Sequence, residues 1–128
     1  MRKQIIESLE APKPIGPYSQ AVRMGELVFL SGQVGLDPSN GNLVSGGVTA
    51  EARRVMENLG AVLTAAGAGY SDVVRVTIYL TNLADFAAVN EVYGSYFTTE
   101  PPARATVQVA ALPKGAAVEI DMIAHIGA

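Results

Sequence analysis

The chain has 128 residues, enough for one domain around a single core, and 49% of them are hydrophobic against 16% charged. With no cysteine and one histidine, it cannot form disulfides, thiolate metal sites, a cysteine nucleophile or a two-histidine acid and base pair. Nine basic and twelve acidic residues leave a net charge of −3 with no basic stripe to meet a phosphate backbone, and no run nears the roughly 20 apolar residues of a membrane span. The opening MRKQIIESLEAP also lacks a secretory signal's apolar stretch and cleavage site. The expectation is a single cytoplasmic domain over 1–128, with neither nucleic acid nor membrane as partner.

A short strand is expected within Arg2 to Ile6. Ala11 to Val22, with three prolines and a glycine, reads as an extended, turn-rich lead into a strand. Gln20, Val22 and Met24 share one strand parity, and Met24-Gly25-Glu26 marks a tight turn into a second strand, Leu27 to Gly32. That strand is apolar on both parities, Val28 and Leu30 on one and Leu27 and Phe29 on the other, so both faces need cover. The run Asp37 to Gly47 is a loop, and its glycines match neither GxGxxG nor the Walker lysine pattern.

From Thr49, a plausible N-cap, Ala52, Val55, Met56, Leu59, Val62, Leu63 and Ala66 follow helical spacing until Gly67 and Gly69 stop it. Val73 to Leu80 alternates as a strand, with Val74, Val76, Ile78 and Leu80 on one face and Val73, Arg75, Thr77 and Tyr79 on the other. A second helix starts between Asn82 and Asp85 and buries Phe86, Val89, Tyr93 and Phe97, until Pro101-Pro102 breaks it.

The last two strands each carry a misfit charge. In the first, Ala105, Val107 and Val109 share one parity while Arg104, Thr106 and Gln108 share the other. In the second, Val118, Ile120, Met122, Ala124 and Ile126 form the apolar row, and Glu119 lies on the opposite face with Asp121 and His125. A guanidinium fork and a carboxyl, both on rigid strands, can hold a small carboxylic acid and activate a water beside it. They can equally form a structural ion pair on a sheet face, and the two residues alone leave both readings open.

The element order predicts an α/β (α+β) sandwich: a mixed six-stranded sheet with two helices packed on one face. Packing between copies would cover the second face and put Arg104 and Glu119, both expected there, beside a subunit boundary.

IGPYSQAV at Ile15 to Val22, SGQVG at Ser31 to Gly35, DFAAVNEVY at Asp85 to Tyr93, PPARATVQV at Pro101 to Val109 and LPKGAAVEIDMIA at Leu112 to Ala124 occur in this order. In these five blocks the sequence resembles the Rid (reactive intermediate deaminase, or YjgF) family, and most of all its RidA subgroup. The resemblance implies a chorismate-mutase-like fold and a homotrimer with a 2-imino or 2-oxo acid ligand in each inter-subunit cleft. It implies hydrolysis of 2-imino acids, such as 2-iminobutanoate and 2-iminopropanoate, to 2-oxo acids and ammonia without a metal or other cofactor. It makes Arg104 the carboxylate anchor and Glu119 the residue that holds or activates the water, with Tyr18, Ser31, Gly32 and Asn90 lining the cleft. Thr106 stands where many relatives have cysteine, and its hydroxyl can still bind water or substrate. Two alternatives stand beside it: an endoribonuclease or translation inhibitor, as the family has also been called, and a non-catalytic metabolite-binding or regulatory trimer that would keep Arg104 without needing Glu119.

Overall fold

The computed structural model describes residues 2–127. Six strands form one sheet in the order β1-β2-β3-β6-β4-β5: β1 Gln4–Ile6, β2 Ala21–Met24, β3 Leu27–Val34, β4 Val73–Leu80, β5 Ala103–Gln108 and β6 Val118–His125. Only β4 and β5 run parallel, which makes the sheet mixed as expected. Two helices, α1 (Gly47–Ala65) and α2 (Phe86–Gly94), cover one face.

Alternation builds that face. Val118, Ile120, Met122 and Ala124 of β6 are buried beside Val28 and Leu30 of β3 and Val76, Ile78 and Leu80 of β4. The α1 stripe of Val55, Met56, Leu59, Val62 and Leu63 packs onto them, and all five are fully buried. At about 25 cal/mol per Å² of apolar surface removed from water, this layer is the main stabilising element of the fold.

Element ends show where local signals lost to the tertiary structure. α1 begins at Gly47, after Gly46 at φ 112°, so Thr49 lies inside the first turn instead of capping it. Its far end matches the glycine signal: Gly67 at φ 78° donates from its N–H to the Thr64 carbonyl, and the Ala68 N–H donates to that of Leu63, a Schellman closure. α2 stops at Gly94, three residues short of the expected end, while Phe97 stays packed on Tyr93 with ring centroids 4.8 Å apart. The Gly25-Glu26 turn joins β2 to β3 with Gly25 at φ 63°.

Two bulges reverse strand parity. In β4 the register slips between Val73 and Arg75, so Val73 is buried and Val74 exposed, the reverse of the strict alternation expected there. In β3 one extra residue falls between Leu30, opposite Met122, and Gln33, opposite Ile120. Ser31 and Gly32 therefore sit in an irregular segment at the centre of the sheet, next to β6.

The other sheet face has no helix. Phe29, Leu27, Met24, Ile5 and Val107 lie there, each at least 38% exposed. So broad an apolar surface is the face that a second copy is expected to cover.

Candidate active site

Glu119 projects from β6 onto the helix-free face, at the floor of a cavity of about 330 Å³. The bulged segment of β3 makes room for it. A Cβ placed on Gly32 would come within 2.9 Å of the Glu119 Cδ and closer still to its carboxylate oxygen, so only glycine lets the acid lie over the strand here. Burial holds the Glu119 carboxyl above the usual carboxylate range, and the charge of Asp121 adds to the effect. No hydrogen bond from the described residues reaches that carboxylate, which leaves its oxygens free for a water or ligand.

The proline-rich lead forms the opposite wall, and Gln20 and Ser31 hold it in place. The buried Gln20 side chain donates to the Pro12 carbonyl at 2.8 Å and accepts from the Ser8 N–H at 2.6 Å. Ser31 donates its hydroxyl to the Ser19 carbonyl at 2.6 Å, and its N–H donates to the Gln20 carbonyl at 2.9 Å. Ser31 thus lines the cavity with its hydroxyl proton already committed. Tyr18, 48% exposed, also lines the cavity; its hydroxyl accepts from the Ile15 N–H at 3.2 Å and keeps its own proton to donate.

Arg104 does not share this face, contrary to the sequence expectation. In the parallel β4–β5 ladder it pairs with Val76, which is fully buried under the helices, so its side chain leaves the sheet on the helix side. Its Cζ lies 4.9 Å from the Tyr93 ring centroid and 5.5 Å from that of Phe86, both on α2. Asn90 falls between those two aromatic residues at helical spacing, on the same face of α2. No acidic side chain among the described residues forms an ion pair with Arg104. Thr106, two residues along β5, carries a buried hydroxyl without a hydrogen-bond partner, as does Tyr93.

The reason for the reversed assignment is that alternation fixes which residues share a face, not which face meets the helices. On β5 the apolar parity of Ala105 and Val107 points away from the helices, and Val107 is 42% exposed there. The named residues therefore form two groups on opposite sides of one sheet: Glu119, Gly32, Ser31 and Tyr18 in the cavity, and Arg104 and Thr106 beneath α2, which carries Asn90. Sequence reasoning placed Phe86 and Tyr93 in the core, but only Tyr93 is buried while Phe86, in the first turn of α2, is 40% exposed, and that reasoning missed their contact with Arg104. Their spacing with Asn90 on one helix face was the available signal.

Comparison with known proteins fits this architecture. The family model described as endoribonuclease L-PSP, the YjgF or Rid family, matches residues 8–126. The chain belongs to the Rid family. It is 63% identical over 126 residues to the protein DfrA of Myxococcus xanthus, covering 97% of this chain and 96% of that protein. It is 52% identical to the 2-iminobutanoate/2-iminopropanoate deaminase of Mus musculus, covering 98% and 93% of the two chains. Among solved structures, RidA from an Antarctic Psychrobacter superposes with a TM-score of 0.93 at 48% identity, covering 96% and 99% of the two chains. Escherichia coli TdcF with bound serine gives 0.92 at 42% identity, covering 97% and 99%. The chorismate-mutase-like fold of these Rid structures is the fold of this chain.

Proposed function

We propose that this chain is a deaminase that hydrolyses small 2-imino acids to 2-oxo acids and ammonia, working as a homotrimer with each site shared by two subunits. The observation that carries the reading is an arginine without a counter-ion among the described residues and a carboxyl with no hydrogen-bond partner among them, on opposite faces of one sheet. Neither can reach the other within a chain. β5 is an edge strand, so an adjoining copy can bring its cavity against the Arg104 side, and the uncovered apolar face supplies the surface for assembly. The names of the mouse relative and of the serine-bound neighbour support a substrate of this size that carries a carboxylate.

In the shared cleft Arg104 clamps the substrate carboxylate with two charge-assisted hydrogen bonds, which fixes the imine carbon beside Glu119 of the partner subunit. The ionised Glu119 takes a proton from water as the water oxygen bonds to that carbon. The C=N electrons move to nitrogen, which takes that proton back from Glu119. Glu119 then removes the hydroxyl proton of the carbinolamine and passes it to nitrogen, so that the C=O bond forms as the C–N bond breaks and ammonia leaves. A carboxyl whose hold on a proton is strengthened by burial is suited both to accept the proton and to return it, an effect typically worth about 10²–10⁴-fold. Tyr18, with its hydroxyl proton free, is placed to donate to the water or the departing nitrogen.

The test is to generate 2-iminobutanoate in place and follow 2-oxobutanoate formation with and without the protein. Acceleration that disappears in Glu119→Gln, while that variant still binds 2-oxobutanoate, is the expected result. No acceleration over the spontaneous reaction, with binding intact, would make the chain a metabolite-binding protein instead.

A further inference from the structure

The helix-free face carries one polar pair that this chemistry does not use. Tyr79 of β4 lies directly across from Glu119 of β6, so the phenol and that carboxyl share one face of the sheet. Its hydroxyl donates to Oδ2 of Asp121 at 2.9 Å, two residues further along β6. Asp121 and Glu119 share a face roughly 7 Å apart by strand geometry, within the reach of an unscreened charge in a partly buried site. The facing donor thus serves the second carboxylate, and Glu119 is left without a partner among the described residues.

We propose that Asp121 and Tyr79 are positioning residues for Glu119: Asp121 sets a second negative charge beside it on the same face, and Tyr79 moderates that charge by donating to it. This deepens the assignment of Glu119 made above and rests on it. Among the described residues of one chain Asp121 is the charged neighbour that acts on the Glu119 carboxyl, adding to the larger effect of burial, and in the proposed assembly Arg104 of the adjoining copy faces the same cleft in wild type and variants alike; Tyr79 itself is pushed up, first by its bond to Asp121 and then by burial. The other titratable groups around the cavity are Lys13 and Tyr18 of the proline-rich lead and Lys114, which follows Pro113 of its rim; β3 contributes only the uncharged Ser31, Gly32, Gln33 and Val34. A purely structural role for the pair would leave the titration of Glu119 where it is.

The signs are opposite for the two partners. Asp121→Asn removes a like charge, makes Glu119 easier to ionise, and moves its titration to lower pH. Tyr79→Phe strips the donor from Asp121, strengthens the repulsion, and moves the titration to higher pH. Because Tyr79 acts through Asp121, the double variant should titrate like Asp121→Asn alone.

The experiment follows the Glu119 side-chain carboxyl by carbon NMR against pH in the ligand-free assembly, with circular dichroism and light scattering confirming that each variant is folded and assembled. The acid limb of kcat/KM for 2-iminobutanoate hydrolysis should move in step. Titrations that coincide with the wild type, that move in the reverse directions, or that add in the double variant overturn the proposal. The NMR titration needs no reaction, so a wild-type protein without imine hydrolysis would sink the deaminase reading while leaving this result to stand or fall by itself.

Discussion

Arg104→Ala separates an anchor from a structural ion pair. Among the described residues Arg104 has no carboxylate partner and its guanidinium rests on two aromatic rings, so truncation strands no buried charge there. What the fold loses is the cation–π contact, about 0.5–2 kcal/mol, and each kcal/mol shifts Tm by roughly 3–5 °C for a chain of this size. Activity should suffer more. Losing a charge-assisted anchor that positions the substrate is worth about 2–4 kcal/mol, or roughly 30- to 1000-fold in kcat/KM, and Arg104→Lys should recover only part of it because the planar fork is gone. Breaking a buried ion pair would instead destabilise by about 3–5 kcal/mol. Thermal melting and 2-oxobutanoate formation measured on the same samples decide: a variant that melts far earlier yet turns over normally while folded would refute the anchor role.

Gly32→Ala puts a methyl group against the Glu119 carboxylate, with Cδ only 2.9 Å away; hydrolysis should fall at least about tenfold while Tm moves by a few degrees, and an unchanged kcat would contradict the packing. Tyr93→Phe removes a buried hydroxyl that has no partner but keeps the ring under Arg104, so stability by denaturant unfolding should hold or rise and KM should change less than twofold. Glu119→Gln should stabilise the fold near neutral pH. Burial raises the carboxyl above its unfolded value, so its favourable contribution is fully present below that value and is lost as pH rises through the folded one. Melting at pH 4 and pH 7 checks the sign, since the gain should appear only at the higher pH. In light scattering the particle should have three times the 13.3 kDa chain mass, and a stable monomer would remove the shared cleft.

Much of the fold was legible because β6 and α1 keep strict periods. The buried row Val118, Ile120, Met122 and Ala124 repeats every two residues, and the α1 stripe follows a helical turn up to the left-handed Gly67, so face, type and end are written locally. Arg104 and Glu119 stood out for a related reason: charged side chains on strands that are otherwise largely apolar ask for a partner or a task. Local sequence could not decide which way each strand faces. Period two groups Arg104 with Thr106 but is blind to where the helices lie, and only the parallel pairing of Arg104 with Val76 put it under α2. The bulges at Val73–Arg75 and Leu30–Gln33 are similarly invisible, since an extra residue exists only relative to the neighbouring strand it fails to match. One of these bulges sets Gly32 beneath Glu119, which makes the cavity a product of strand pairing, whereas the acid at its floor was already apparent from its place in the alternation of β6.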